Sequence, residues 1–233
     1  MQLFAPTALD FYKVGHINQY PKNTKRVYAN GTARSGGHSN IEGGTHVVYA
    51  GMQMLAQNLL INLWNDTFFK QPKAEVLIKY KRRVSQGLGY DVDVSHMEAL
   101  HDLGYLPVEI RSLPEGSLVP YKVPMFTIEN TLDDFYWVTN MLETSISAEL
   151  WPVVTAATTY NEYRKTFIKY AKKTGGDLNF VPFQGHDFSL RGSMGIAGGT
   201  LTAVGALLAG SMGTDTVSAI DAVEAYYGAD VDK

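Results

Sequence analysis

The sequence contains no cysteine. That excludes disulfides, thiolate zinc sites and a cysteine nucleophile, and it fits a reducing cytosol. A basic excess is missing too: 20 Lys and Arg stand against 23 Asp and Glu, a net charge of −3. General nucleic-acid binders carry a clustered positive balance, so that class is set aside. Residues 1–6 lack the basic and apolar regions of a signal peptide. There is no Walker loop, no Gly-x-Gly-x-x-Gly, no catalytic serine elbow and no internal repeat. Charge is absent from Gly192 to Thr214, a stretch long enough to cross a bilayer. Seven glycines and interspersed Ser and Thr keep its hydrophobicity modest, so it is expected to be a buried helix and not a membrane span.

What is present is ordinary for a globular chain: 233 residues, 45% apolar and 18% charged, enough for one large or two small domains. Apolar residues at Val47, Val48, Met52, Leu55, Leu59 and Leu63 recur with helical period, predicting a helix over 45–64. A second helix is expected over 73–84, with Lys79, Lys81, Arg82 and Arg83 as a solvated basic face. Ser95-His96-Met97-Glu98 has the capping-box pattern and opens a helix that ends at Gly104. His96 and His101 are five apart, so the i, i+4 spacing of two metal ligands is missing.

Short strands over 106–113, 117–119 and 125–129 suggest a small antiparallel sheet. A helix over 133–150 is expected to break at Trp151-Pro152, and the next to run to Lys173 and end at Gly175-Gly176. A strand–helix–strand–helix rhythm follows, over 179–185, 193–208, 209–214 and 216–227. The class is therefore α/β, divided into 1–150 and 151–233.

The stretch that organises the chain is Gly185-His186-Asp187-Phe188-Ser189-Leu190-Arg191-Gly192, with Gly213-Thr214-Asp215-Thr216 after it. The apolar run 179–183 in front reads as a strand, which puts the octet where a strand hands over to a helix, at the mouth of a cleft. An aromatic face, a guanidinium, two carboxylates and an imidazole with little other charge nearby suit a flat, polar-edged ligand that carries a phosphate. The competing reading is a buried strand end whose Asp and Arg pair with each other. Asp215 either caps the last helix or faces a ligand. Arg34, in the Gly- and Ser-rich loop 30–44, is either solvated or a phosphate hook.

His-Asp-Phe-x-x-Arg-Gly followed by Gly-Thr-Asp-Thr resembles the nicotinamide phosphoribosyltransferases, type II phosphoribosyltransferases. Three further blocks match in family order. They are Asp10-Phe11-Tyr12-Lys13-Val14-Gly15-His16 with Gln19-Tyr20-Pro21-Lys22-Asn23-Thr24, then Pro107-Val108-Glu109-Ile110-Arg111 with Pro114-Glu115-Gly116 and Phe126-Thr127-Ile128-Glu129-Asn130-Thr131, and finally Tyr136-Trp137-Val138-Thr139-Asn140 with Glu143-Thr144. The resemblance covers almost the whole chain.

It implies an α+β N-terminal domain followed by the first strands and helices of an incomplete, irregular β/α barrel. The implied reaction moves 5-phosphoribosyl from phosphoribosyl pyrophosphate to nicotinamide, a step of NAD biosynthesis in the cytoplasm. Phe188 would stack on the ring, with Tyr12 of a second subunit on the other face. Asp215 would accept from the carboxamide, Arg191 would bind phosphate, Arg34 would reach the phosphates of the neighbouring subunit's site, and Asp10 would lie near the same site. Magnesium would accompany phosphoribosyl pyrophosphate, and the ATP-linked histidine of the family has no counterpart here. The chain is about half the family's usual length, so a homodimer working with a complementary C-terminal half is expected. The other readings are a non-catalytic nicotinamide-binding or assembly module, and a nicotinate-type relative; a carboxylate at 215 would repel nicotinate, which argues against the latter.

Overall fold

The computed structural model describes residues 3–39 and 41–232, so part of the 30–44 loop and both extreme ends lie outside the described residues. The fold is mixed helix and strand with small sheets, in line with the α/β class. In chain order the elements are α1 (Phe11–Val14), β1 (Tyr28–Thr32), β2 (His46–Val48), α2 (Met52–Leu55), α3 (Lys73–Leu88), α4 (Ser95–Leu103), β3 (Val108–Ser112), β4 (Leu118–Pro120), β5 (Pro124–Asn130), α5 (Val138–Met141), α6 (Glu143–Thr174), α7 (Gly195–Leu208) and α8 (Val217–Tyr227).

The single small sheet expected from the sequence is two. One has the order β1-β5-β3, and β2 pairs with β4 in the other, antiparallel, with Val47 opposite Val119. No helix among the described residues is long and apolar enough to cross a membrane.

The chain forms two compact units that interleave in sequence. The first is Met1–Asn30, Leu55–Arg111 and Thr127–Ser147; the second is Gly31–Met54, Ser112–Phe126 and Ala148–Lys233. Residues 31–54 and 112–126, expected in the N-terminal domain, belong to the second unit.

In the first unit α3 buries Val76, Tyr80 and Val84, spaced four apart on one stripe. Its basic face is not purely solvated: Lys79 Nζ lies 4.1 Å from the Phe4 ring centre, and Lys81 pairs with Asp91. The start of α4 differs from a capping box. Val94 is the N-cap residue, and Asp93 before it forms a turn, accepting from the Ser95 amide at 2.9 Å and the Ser95 hydroxyl at 3.0 Å. Those bonds, the amide foremost, hold its carboxyl below the usual range. Asn130, 1% exposed, accepts from the Val27 amide at 2.8 Å and donates to the Lys25 and Leu132 carbonyls at 2.8 and 2.9 Å. A buried amide that finds all three partners fixes the way β5 ends.

In the second unit the helix expected from residue 45 begins at Met52. Val47 and Val48 are β-branched and pair with β4, and Gly51 at φ +100 turns the chain into the helix. Glu115 anchors that turn: its carboxylate accepts from the Gly51 and Gln53 amides at 2.8 Å each and from the Tyr227 hydroxyl at 3.0 Å. Burial first, then Glu115, pushes the Tyr227 phenol above its ordinary value. The core joins Val48, Met54, Val153, Ala157, Ala203, Val204, Ala219 and Ala222, so small residues let α6, α7 and α8 approach closely.

The break expected at Trp151-Pro152 does not occur, and Pro152 lies inside α6. A mid-helix proline costs about 3 kcal/mol. Burial of Leu150, Val153, Val154 and Ala157 around it opposes that cost.

His96 yields a pH prediction. Its ring packs edge-on against Trp137 at 4.8 Å in the first unit, and burial pushes its pKa from 6.5 down to about 4. The unfolded chain therefore takes up a proton that the folded chain refuses. This stability is complete above pH 6.5 and is lost as the pH falls toward 4. The loss is expected to reach about 3 kcal/mol at most. Urea unfolding of His96→Gln against wild type between those pH values checks it: the variant should lack that part of the acid slope.

Candidate functional site

The octet is built wholly within the second unit. The strand expected over 179–185 is replaced by a 3₁₀ helix, Leu178–Phe183, and this corrects the idea of a strand handing over to a helix. The local reasons are visible. The Asp177 side chain accepts from the Asn179 amide at 2.9 Å and starts the turn, and Pro182 has no N–H for a strand ladder. Phe180 and Phe183, three apart, stack with centres 6.0 Å apart, as 3₁₀ geometry aligns i and i+3. Strand pairing here shrinks to one parallel bridge, Asp187 with Thr214, next to the Asp215 amide donating to the Asp187 carbonyl at 2.9 Å.

Asp187 carries the junction. Its Oδ2 accepts from the Thr216 hydroxyl at 2.9 Å, and its Oδ1 accepts from the Ser189 amide at 3.3 Å. Thr216 is fully buried. The first bond joins the octet to the start of α8; the second forms the Asx turn that leads into the single 3₁₀ turn Ser189–Arg191. The Met212 amide donates to the Pro182 carbonyl at 2.9 Å, and the Tyr160 hydroxyl to the same carbonyl at 3.3 Å. Gly213 is required for close approach, since a Cβ there would lie 2.4 Å from His186 Cε1.

The Asp–Arg pair of the competing reading is not formed: Asp187 is bonded internally, and Arg191 is exposed with no ion pair recorded among the described residues. Phe188 is 69% exposed, its ring 5.7 Å from that of His186. Asp215 is exposed and does not cap α8: the N-cap residue is Thr216, no side-chain capping bond is made there, and the Thr216 amide donates to Thr214 Oγ1 at 3.0 Å. Phe188, Arg191 and Asp215 are thus all exposed at the junction. Arg34 is exposed in the loop after β1, where the Ala33 carbonyl accepts from the Lys122 amide at 2.8 Å. Asp10 and Tyr12 belong to the first unit, at the start of α1, where Asp10 accepts from the Thr144 hydroxyl at 2.8 Å.

No family model matches the chain. Curated proteins do. The nicotinamide phosphoribosyltransferase of Acinetobacter baylyi is 48% identical over 225 residues, 95% of this chain and 44% of the relative. That of Xanthomonas campestris pv. campestris is 27% identical over 221 residues, 94% of this chain and 44% of the relative. That of Mycoplasma genitalium is 27% identical over 200 residues, 79% of this chain and 43% of the relative. The chain is homologous to the N-terminal part of the nicotinamide phosphoribosyltransferases. It spans less than half the length of these relatives. The crystal structure of human nicotinic acid phosphoribosyltransferase matches 90% of this chain and 36% of that chain, with a TM-score of 0.63 and 21% identity. That likeness shows the fold.

Set beside these phosphoribosyltransferases, the junction has features that sequence reasoning missed. Asp187 appeared as a candidate ligand group but serves as the internal tie, and its Asx signal, Asp followed two residues later by Ser, was there to be found. His186 lines a groove of about 460 Å³ with Trp151, Tyr160, Tyr163, Phe167 and Gln184, and no local pattern in the sequence marked that groove. Among the described residues no three His, Asp or Glu are grouped so as to hold a metal ion.

The two roles assigned at the junction separate in stability. Asp187→Ala is expected to cost about 1–3 kcal/mol, since it leaves the buried Thr216 hydroxyl without its acceptor. Arg191→Ala is expected to stay within about 0.5 kcal/mol of wild type. Urea unfolding of both variants, followed by circular dichroism, measures the difference; equal losses would contradict the assignment.

Proposed function

We propose that this chain supplies the ring-binding part of a nicotinamide phosphoribosyltransferase. The reaction joins the pyridine nitrogen of nicotinamide to the anomeric carbon of phosphoribosyl pyrophosphate. The bond from that carbon to pyrophosphate breaks, which gives nicotinamide mononucleotide. The observation that carries this reading is the junction itself: Phe188, Arg191 and Asp215 are exposed on it, while Asp187, its other acid, is bonded internally.

The chemistry follows from the side chains. Phe188 offers a flat face for the ring, and stacking strengthens as the ring becomes a pyridinium cation. Asp215 accepts from the carboxamide N–H. Facing nicotinate, the same carboxylate would meet a like charge at contact, which favours the amide substrate over the nicotinate-type alternative. Arg191 presents a guanidinium fork suited to phosphate. Positioning and electrostatics carry the transfer, and no side-chain nucleophile on the sugar is needed.

The exposure of Tyr12 and Arg34 supports a homodimer in which they serve the neighbouring copy's site. The relatives devote more than half their length to stretches without a counterpart here. We therefore assign turnover to an assembly that includes a polypeptide covering those stretches, and read binding as the property of this chain.

Calorimetry on that assembly tests the reading. Phe188→Ala is expected to weaken nicotinamide by about 1–3 kcal/mol, the range of base–aromatic stacks, with the fold unchanged. Asp215→Asn is expected to reduce the preference for nicotinamide over nicotinate. Unchanged nicotinamide affinity in folded Phe188→Ala would remove the ring assignment, and an unchanged affinity ratio in Asp215→Asn would remove the specificity assignment.

A further inference from the structure

A helix of four residues has no stability of its own in water, yet α1 presents Tyr12 as a residue 59% exposed. Two contacts with the first turn of α6 hold it, all within the first unit. Just before α1, Asp10 Oδ2 accepts from the Thr144 hydroxyl at 2.8 Å. At the end of α1, the Lys13 ammonium pairs with the Glu143 carboxylate, and the Lys13 side chain is only 3% exposed. A buried ammonium stripped of its partner is strongly unfavourable, so this pair selects one seating of α1.

A third tie follows. Asn140 Nδ2 donates to the Tyr20 hydroxyl at 2.8 Å, and the Tyr20 ring packs edge-on against Tyr136. The anchored ammonium also lies 5.0 Å from the Tyr12 ring centre, and the His16 ring is 5.2 Å from it on a tilted plane. Lys13 is therefore shared: it ties the end of α1 to Glu143 and lies over the Tyr12 ring.

We propose that Asp10, Lys13, Glu143 and Thr144 form a latch that positions Tyr12 as a ring-stacking face, which makes Asp10 a positioning residue and not a catalytic one. The inference rests on the reading of Tyr12 as one face of the nicotinamide site. The carboxylate of Asp10 already has a donor, and the residue it accepts from is the immediate neighbour of the one that pairs with Lys13. Asp10 and Lys13 bracket Tyr12 in sequence, and Glu143 and Thr144 are consecutive on α6, so the four side chains close a ring of contacts around one exposed aromatic.

Thr144→Val in the nicotinamide-binding assembly keeps the shape and removes only the hydroxyl; Thr144→Ser keeps the hydroxyl. Hydrogen exchange of the amides of residues 11–15, measured without ligand, is expected to quicken by up to about tenfold in Thr144→Val, the factor one lost hydrogen bond carries. It should return toward wild type in Thr144→Ser. Nicotinamide affinity should fall in parallel, and the fall should vanish in a Tyr12→Ala background, where there is no ring left to position. Unchanged exchange in Thr144→Val overturns the latch. An affinity loss of the same size with and without Tyr12 overturns the positioning role. The ring-binding reading fails separately, through unchanged affinity in Phe188→Ala, and the exchange measurement decides the latch without any ligand.

Discussion

The hydrogen bonds of a single carboxylate determine what the junction can do. Asp187 accepts the hydroxyl of a fully buried threonine on one oxygen and a turn amide on the other. Moved to another partner, it would leave Thr216 buried and unsatisfied and would dissolve the turn that carries Arg191. Asp187 is bonded to Thr216 and Ser189, and Arg191 stays exposed. The positive end of the site is kept available by a negative group that is committed elsewhere.

This arrangement explains why the site was only half legible in the sequence. Asp187 and Asp215 are the same residue type in two adjoining motifs, and the Asx signal at 187 marks a turn without naming the distant partner that ties the carboxylate down. The three-dimensional supply of donors separates them: Asp187 accepts from two, while Asp215 is exposed and Thr214, not Asp215, accepts from the Thr216 amide. The aromatic and the guanidinium were easier to read, because exposed Phe188 and Arg191 sit in a segment with few other polar groups to satisfy them. The groove that includes His186 was not readable, since its walls come from residues 151–167, 184–187 and 202–206.

The same contrast runs through the fold. Helices α3, α4, α7 and α8 lie near their expected bounds because each carries a self-contained signal of period, glycine stop or unbroken small-residue run. The failures are places where two local rules competed or where distant burial decided. Over 178–183 the apolar run suggested a strand, but an Asx start, a proline and an i, i+3 phenylalanine pair favour the 3₁₀ turn. At Pro152 the local rule demanded a break, and the buried residues on either side kept α6 continuous. Val47 and Val48 fitted a helical period and also a strand; the partner strand β4, seventy residues away in sequence, decided between them.

Most polar residues of the family-like blocks prove to bind the chain to itself. Glu115 anchors the start of α2, Asn130 closes the end of β5, Asp187 ties the octet to α8, and Lys13 with Glu143 seats α1. A polar group with its donors or acceptors satisfied inside the protein has little left to offer a ligand. A sequence motif therefore mixes two populations that composition cannot separate, and hydrogen-bond accounting can. Subtracting the internally satisfied groups leaves His186, Phe188, Arg191 and Asp215 exposed at the junction, with Arg34 and Tyr12 exposed elsewhere. Under the reading proposed above, they are a flat face for the ring, an acceptor for the amide and a cation for the phosphate.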